Sequence, residues 1–210
     1  MKAMIKDAMI LLAITLLSGL ILGTVYQITK EPIAAQNEKA QTEACQAVFE
    51  NAASFEEVDL TQFTAPEEVL AEQGYGNASI DRVLTAKDEA GEVLGYVVSV
   101  TSHEGYGGDI AFYMGVTLNG TTNGISILEI SETPGLGMKA EEVLVPQFKD
   151  KTVDTFSYTK TGATSDSEID AISGATITTN AVTNGVNAGL SYLYSQGLVT
   201  MASQSGNGGA

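Results

Sequence analysis

The chain has 210 residues and a mass of 21.9 kDa, which suits one domain of ordinary size, or one domain and a membrane anchor. Its 10 Lys and Arg face 26 Asp and Glu, and the net charge of -16 argues against a nucleic-acid partner. With one His and one Cys, the chain alone cannot build a zinc site, a Cys/His iron–sulfur site or an internal disulfide, and we predict no metal site.

A membrane anchor is predicted near the start of the chain. Residues 8–26 carry no charge, and 14 of these 19 residues are apolar. At about 1.5 Å per residue they form a helix of roughly 28 Å, close to the ~30 Å hydrocarbon core of a bilayer. Lys2 and Lys6 precede the run, whereas Lys30 and Glu31 cancel after it. The positive-inside rule therefore places residues 1–7 in the cytoplasm and the remainder outside.

Two alternatives stay open for this segment. It could be a cleaved signal peptide, although the apolar run exceeds a usual h-region and no A-x-A pattern follows it. Thr15, Gly19 and Gly23 share one helical face, and the Gly-x-x-x-Gly spacing lets two membrane helices approach closely. Glycine is also simply common in such helices, so a partner helix is one of two interpretations.

A second helical pattern follows the anchor, within residues 33–53. Cys45 lies beside its apolar stripe, and a buried, inert thiol is the role we expect for it. The stripe has helical spacing and indicates a helix that leaves the membrane. It consists of Ala40, Ala44, Ala47 and Val48.

The stretch from Val83 to Ile130 predicts a sheet. Three segments alternate or run apolar with many β-branched residues, at 95–102, 110–118 and 124–130. Asn-Gly pairs at 119–120 and 123–124 are turn signals between the last two segments, so we predict a hairpin there.

A last helix is predicted after Thr176. Gly197 is a plausible stop for it, and Gly185 and Gly189 suggest that something packs closely against its backbone. The apolar positions of one helical face are Val182, Val186, Leu190 and Leu193.

The predicted fold class is α+β: a single membrane helix, then one domain with a mostly antiparallel sheet and packed helices. The predicted divisions are a cytoplasmic N-terminus (1–7), a transmembrane helix (8–26), a linker and helix (27–60), the main domain (61–200) and a disordered tail (201–210). After residue 29 the chain carries 25 acidic and 8 basic residues, a net charge of -17 that favours solubility.

Two short segments carry candidate chemistry. The first, DAISGAT at 170–176, is a turn of small and hydroxyl residues that leads into a helix. Free N–H groups at a helix start favour a phosphate, although an ordinary capped helix start explains the same residues. The second, ETPGLG at 132–137, follows a strand and predicts a type II turn with Gly135 at positive φ. Such a loop can hold a ligand or be a structural turn only.

The two segments together resemble motifs of one family. DAISGAT resembles the flavinylation signature Asp-x-x-Ser/Thr-Gly-Ala-Thr of the FMN-binding subunits of ion-pumping respiratory complexes, and ETPGLG resembles their flavin-contacting loop. GYGGDI at 105–110 and PQF at 146–148 lie where that family has similar residues. The resemblance covers essentially the whole chain. At 210 residues, the chain is closer in length to the G subunit of Rnf complexes than to the longer C subunit of the sodium-pumping NADH:quinone oxidoreductase.

The resemblance implies which residues hold the cofactor. In the family, the last Thr of the signature carries FMN through a phosphoester bond, and here that residue is Thr176. Asp170 and Ser173 fit the positions that a flavin transferase recognises. The other residues implied to bind FMN are Ser173, Gly174, Ala175, Glu132, Thr133, Gly135, Leu136 and Gly137.

Other candidates are given lesser roles. A second copy of the signature's end, TGAT at 161–164, has Tyr158 in place of the Asp, so we expect Thr164 to stay unmodified. Lys139 is a candidate for approaching the flavin or its phosphate. We assign His103 no catalytic role, and no residue is predicted to be catalytic.

The implied function is electron transfer by a covalent FMN on the outer face of the cell membrane. The chain would be one relay in a complex that moves electrons between reduced ferredoxin and NAD and pumps Na⁺ or H⁺. The flavin performs the redox step and the protein positions it. The implied partners are the membrane, other membrane and iron–sulfur subunits, and a flavin transferase during maturation.

Four alternatives remain. The chain could be the equivalent subunit of the NADH:quinone pump, or a stand-alone extracellular flavin carrier. It could instead be a non-redox anchored scaffold or ligand-binding protein, which flavin content would reveal. A hydrolase that pairs a Ser with His103 is weak, because no G-x-S-x-G elbow is present.

Overall fold

The first helix, α1, extends over Lys2–Val48 in the computed structural model, which describes residues 2–201 and side chains from residue 4. It includes the predicted 8–26 segment, and among the described residues it is the one helix long and apolar enough to cross a membrane. Of the predicted disordered tail, only Met201 is among the described residues, and the remainder lies outside them.

The helix predicted within 33–53 is the continuation of α1, and it ends earlier than predicted. After Val48 the chain turns, with the Ala52 N–H bonded to the Phe49 carbonyl at 3.1 Å. The Ala53 N–H then donates to the Lys87 carbonyl at 2.7 Å, so sheet pairing replaces the helix at this point.

The described residues divide into two compact units, the first ending at Thr42 and the second beginning at Glu43. The second unit holds a six-stranded sheet in which every pairing is antiparallel and the strand order follows the chain, together with a small parallel pair of strands. The predicted α+β class with a mostly antiparallel sheet is therefore confirmed. The strands of the large sheet are β1 (Ser54–Glu57), β2 (Ala78–Lys87), β3 (Val93–Ser102), β4 (Ile110–Thr117), β5 (Thr121–Ile130) and β6 (Lys151–Thr152).

The remaining elements surround this sheet. The small parallel pair is formed by β7 (Ser157–Thr159) and β8 (Glu168–Asp170). Short 3-10 helices lie at Leu60–Gln62, Gly137–Lys139 and Val145–Phe148. The other helices of this unit are α2 (Pro66–Glu72), α3 (Ala140–Val143) and α4 (Thr176–Ser195).

The three predicted strands correspond to β3, β4 and β5, and the predicted hairpin joins the last two. Its turn contains Asn119-Gly120, where Gly120 has a φ of 81°. The second Asn-Gly pair is not part of the turn. It lies inside β5, where the register shifts beside the Gly115–Gly124 pair and Gly124 has a φ of 123°. The positive φ at this bulge favours glycine, as a tight turn does, so the Asn-Gly pattern alone does not distinguish the two.

Apolar side chains cover both faces of the sheet. The end of α1 packs on one face through a cluster that includes Cys45, Val48 and Phe49. Gly115 allows this contact, because a Cβ there would lie 2.7 Å from the Val48 carbonyl oxygen. Cys45 is buried as predicted, and burial raises the pKa of its thiol to about 11, so the thiol is protonated and unreactive at neutral pH.

Helix α4 packs on the opposite face and confirms the prediction for the last helix. Gly197 has a φ of 66°, and the Leu198 N–H bonds to the Leu193 carbonyl at 3.0 Å, which ends the helix. The two glycines inside the helix do allow close packing: a Cβ on Gly185 would lie 2.9 Å from the Phe112 ring, and one on Gly189 would lie 2.5 Å from the Met114 methyl.

Candidate functional site

The register of the sheet brings two loops to the same edge. Ser102, the last residue of β3, pairs with Ile110 at the start of β4, and Ile110 pairs with Ile130 at the end of β5. The loop 103–109 and the segment 131–137 therefore leave the sheet side by side.

The start of α4 contacts the second of these loops. Gly174, with a φ of 80°, turns the chain before the helix, and a Cβ there would lie 3.1 Å from the Leu136 side chain. One turn further, a Cβ on Gly137 would lie 2.6 Å from the Thr178 Oγ1. The DAISGAT and ETPGLG segments, far apart in sequence, are thus neighbours in the fold.

A cavity of about 530 Å³ lies between these three parts of the chain. Its volume is within the usual range for small-molecule sites, and its wall combines apolar side chains with hydroxyls and one carboxylate. Seven of the nine residues that the resemblance assigns to the cofactor are on the wall. The full lining is Tyr106, Glu132, Thr133, Leu136, Gly137, Gly174, Ala175, Thr176, Ile177 and Thr178.

The remaining predicted residues are not part of the cavity wall. Gly135 has a φ of 77° and shapes the turn closed by the Leu136 N–H to Thr133 carbonyl bond of 3.1 Å, as the Pro-Gly pair predicts. Ser173 is exposed in the turn before α4, and Lys139 is exposed at the end of the 3-10 helix Gly137–Lys139.

Asp170 also lies outside the cavity, and its hydrogen bonds are local. Its Oδ1 accepts from the Ala163 N–H at 2.6 Å, which holds the TGAT loop. Its backbone N–H and carbonyl both bond to the Gln147 side chain, at 2.7 and 3.1 Å. The Asp that distinguishes the two copies of the signature therefore contacts the other copy.

Sequence reasoning did not assign Tyr106, Ile177 and Thr178 to the site. Tyr106 lies within GYGGDI, so the resemblance already marked its segment, and the side chain is 71% exposed despite its size. Ile177 and Thr178 follow Thr176 in the first turn of α4, and helical periodicity alone does not show that this turn borders a cavity.

Glu132 joins the two loops at the sheet edge. The side chain is buried, and its Oε1 accepts a hydrogen bond from the Gly107 N–H at 3.3 Å. Gly107 itself fits only as glycine, because a Cβ there would lie 2.0 Å from the Ser131 carbonyl oxygen. The carboxylate thus fixes the spacing between the loop that carries Tyr106 and the loop that carries Leu136.

The hydroxyls of Thr176 and Thr164 differ in their surroundings. Thr176 is half-buried on the cavity wall, and within the described residues its hydroxyl makes no hydrogen bond. Thr164 is exposed on the other loop, and its backbone N–H and hydroxyl both donate to the Glu168 carboxylate at 2.7 Å. Of the two, only Thr176 offers a free hydroxyl beside the cavity.

The surroundings of Thr176 suit a bound phosphate. It is the first residue of a 20-residue helix whose N-cap residue, Ala175, provides no side-chain hydrogen bond. The first backbone bond of the helix runs from the Thr179 N–H to the Ala175 carbonyl at 3.0 Å, which leaves the preceding N–H groups without helical partners. These groups and the helix dipole favour an anion there. The cavity and this helix start fit a phosphate-bearing flavin.

His103 is not part of the cavity wall. Its Nδ1 lies 3.0 Å from the Asp109 Oδ1, and both side chains are largely exposed.

Two family models match the chain. The model of the FMN-binding domain matches residues 105–191, and the model of the RnfG N-terminal region matches residues 1–48. Every residue that lines the cavity falls within the first range.

Similar proteins include G subunits of two redox complexes. That of the Na⁺-translocating ferredoxin:NAD⁺ oxidoreductase complex of Acetobacterium woodii is 34% identical over 89% of this chain and 89% of its own. That of the proton-translocating ferredoxin:NAD⁺ oxidoreductase complex of Clostridium ljungdahlii is 34% identical over 81% of this chain and 80% of its own. The crystal structure of Shewanella oneidensis NqrC aligns with 55% of this chain and 58% of its own, with 23% identity and a TM-score of 0.46.

Proposed function

The chain belongs to the family of G subunits of ion-translocating ferredoxin:NAD⁺ oxidoreductase (Rnf) complexes, and from this premise we propose that it is the membrane-anchored electron-transfer subunit of such a complex. FMN is its cofactor, and Thr176 carries this FMN covalently. The chain is one relay between other redox groups of the complex and has no complete activity alone.

One observation carries the assignment of Thr176. The two segments that resemble flavin motifs border a single cavity, and the last Thr of the signature places on its wall a hydroxyl that makes no hydrogen bond within the described residues. The other Thr-bearing copy is outside this cavity and has its hydroxyl engaged. The modification needs an available hydroxyl next to a space large enough for a flavin. Of Thr164 and Thr176, only Thr176 meets this requirement.

The attachment is a phosphoryl transfer that balances without a further reactant. The Thr176 oxygen bonds to the FMN phosphorus of FAD, the pyrophosphate bond breaks, AMP leaves, and the hydroxyl proton is released. A flavin transferase performs this step during maturation. Asp170 and Ser173, both exposed, are the residues this enzyme recognises.

The bound flavin supplies the one-electron and two-electron chemistry of the relay. The residues of this chain hold it in place. The free N–H groups at the start of α4 bind the phosphate, and Gly174 and Gly137 allow close approach to the backbone. Glu132, Thr133, Ala175 and Leu136 form further parts of the wall.

The remaining proposals concern location and partners. The chain is a single-pass protein of the cell membrane with residues 1–7 in the cytoplasm and the FMN-binding domain outside. Its partners are the other membrane and iron–sulfur subunits of the complex. The proposed divisions are those expected from the sequence, with the linker and helix at 27–60 and the FMN-binding domain at 61–200, and the linker contributes β1 (Ser54–Glu57) to the sheet of this domain.

The direct test of the function is the mass of the native protein. We expect the chain purified from its own membranes to be heavier than its sequence by one FMN less one water, and to show flavin fluorescence in a denaturing gel. The same chain expressed without a flavin transferase provides the control and should have the unmodified mass. A native chain of unmodified mass contradicts covalent flavin, and a native protein that contains no flavin at all would favour a non-redox scaffold.

The topology has its own test. A reporter enzyme that is active only outside the cytoplasm, fused after Ala210, should be active, because Lys2 and Lys6 keep the N-terminus inside. Edman sequencing of the purified chain should start at Met1 or Lys2. An inactive reporter contradicts the orientation, and a mature chain that starts near residue 30 contradicts the uncleaved anchor.

A further inference from the structure

Glu104 lies in the loop between β3 and β4, and its carboxylate accepts hydrogen bonds from three side-chain amides. Its Oε1 accepts from the Asn77 Nδ2 at 3.2 Å. Its Oε2 accepts from the Asn184 Nδ2 at 2.7 Å and from the Asn180 Nδ2 at 3.3 Å. All three donors are neutral, and no Lys or Arg pairs with Glu104 within the described residues.

These donors belong to two different parts of the fold. Asn180 and Asn184 are one turn apart on α4, the helix that begins with Thr176. Asn77 directly precedes β2, and its carbonyl accepts the His103 N–H at 2.9 Å. The carboxylate therefore fastens the β3–β4 loop to the first turns of α4 on one side and to the start of β2 on the other.

We infer that Glu104 is a positioning residue for the flavin cavity. It holds the loop that carries Tyr106 against the helix that carries Thr176, and so sets the distance between these two walls. The effect on the flavin rests on the proposed function. The hydrogen bonds of Glu104 that hold the loop to the helix do not depend on it. Glu104 is absent from the cavity wall and acts through Tyr106 and α4.

The contacts of Glu104 predict that hydrogen bonding, rather than charge, performs this role. A Gln at position 104 keeps one oxygen for the Asn180 and Asn184 amides. Its own amide can then donate to Asn77 after a flip of that side chain. An Ala at position 104 leaves all three amides without this acceptor, and each lost bond in a half-buried site weakens the local structure.

A matched control exists elsewhere in the same unit. The Glu168 carboxylate also accepts two hydrogen bonds from a loop, those of the Thr164 N–H and hydroxyl. That loop is not part of the cavity wall. Glu168→Ala therefore removes a carboxylate that holds a loop by comparable hydrogen bonds, at a place outside the wall of the flavin cavity.

The first measurement is hydrogen exchange of the full-length, detergent-solubilised chain without flavin. We expect Glu104→Ala to raise exchange about tenfold at residues 103–108 and 176–184, because opening of a segment follows its local stability. Glu104→Gln should exchange like the original chain, and Glu168→Ala should change only residues 161–168. Unchanged exchange in Glu104→Ala, or a Gln variant that behaves like the Ala variant, overturns the inference.

The second measurement uses the chain coexpressed with a flavin transferase. Visible-range circular dichroism of the flavin should weaken in Glu104→Ala and stay unchanged in Glu104→Gln and Glu168→Ala. An unaltered flavin signal in Glu104→Ala overturns the positioning role. If Glu104→Ala fails to fold, Asn184→Ala, which loses only the 2.7 Å bond, replaces it with the same expected pattern. A chain that never acquires flavin contradicts the proposed function, whereas the exchange measurement still tests the fastening.

Discussion

Replacing Thr176 by Ala is expected to abolish covalent flavin attachment completely while leaving the domain folded. The change removes the one oxygen that can form the phosphoester at this position. Thr176 is half-buried and its hydroxyl makes no hydrogen bond within the described residues, so the loss of stability should be small, within about 0.5 kcal/mol. Thr176→Ser keeps a hydroxyl at the helix start and should retain part of the attachment.

Thr164→Ala is the matched control for this substitution. It removes the same hydroxyl from the other copy of the signature, where Glu168 already binds it. Attachment should be unchanged. Asp170→Ala should reduce attachment without removing the acceptor hydroxyl. Its carboxylate also holds the Ala163 N–H, so the TGAT loop of this variant should be monitored together with the flavin.

Peptide mass spectrometry on chains coexpressed with a flavin transferase measures these effects. Lys160 is the last Lys or Arg, so the relevant tryptic peptide covers residues 161–210 and contains both Thr164 and Thr176. Fragmentation of this peptide must place the flavin on one of them. Flavin on Thr164, or an unmodified Thr176 beside a transferase shown to be active on another substrate, contradicts the assignment.

The elements with strong periodicity could be predicted from the sequence. The apolar run of α1, the β-branched segments of β3 to β5 and the apolar face of α4 each follow one period over eight or more residues. Short elements such as β1 were not predicted, because they are stabilised by pairing with other strands and not by a pattern in their own residues. The four residues of β1 include a single large apolar side chain, and the strand exists because it pairs with β2.

The cavity shows a similar division. Its loops could be marked from residue patterns, because turn chemistry at Gly135 and Gly174 is local and a signature identifies its own residues. The role of Glu104 could not be marked, because its three donors come from two distant parts of the sequence that only the sheet register and the packing of α4 bring together. Side-chain fasteners of this kind have no periodic or motif signal.

Gly137→Ala is expected to destabilise the domain and deform the cavity. The added Cβ would lie 2.6 Å from the Thr178 Oγ1 and 2.7 Å from both the Cβ and the Oε2 of Glu132. Both neighbours are buried, so neither can move aside without moving its own element. Overpacking of this kind typically costs about 1–3 kcal/mol. For a chain of this size, about 2 kcal/mol corresponds to a fall of roughly 4–8 °C in Tm.

Gly76→Ala provides the comparison, because its Cβ would have only an ordinary 3.8 Å contact with Ala71 and the residue is not on the cavity wall. Thermal unfolding of the full-length chain in detergent, followed by circular dichroism, should show the fall in Tm for Gly137→Ala alone. Glu132 fastens Gly107 and Thr178 belongs to the first turn of α4, so the displacement reaches both walls beside Thr176. The flavin of Gly137→Ala should therefore also lose part of its visible circular dichroism. A variant with the Tm and flavin signal of the original chain would show that the two walls can separate freely, against the close packing of Gly137 between them.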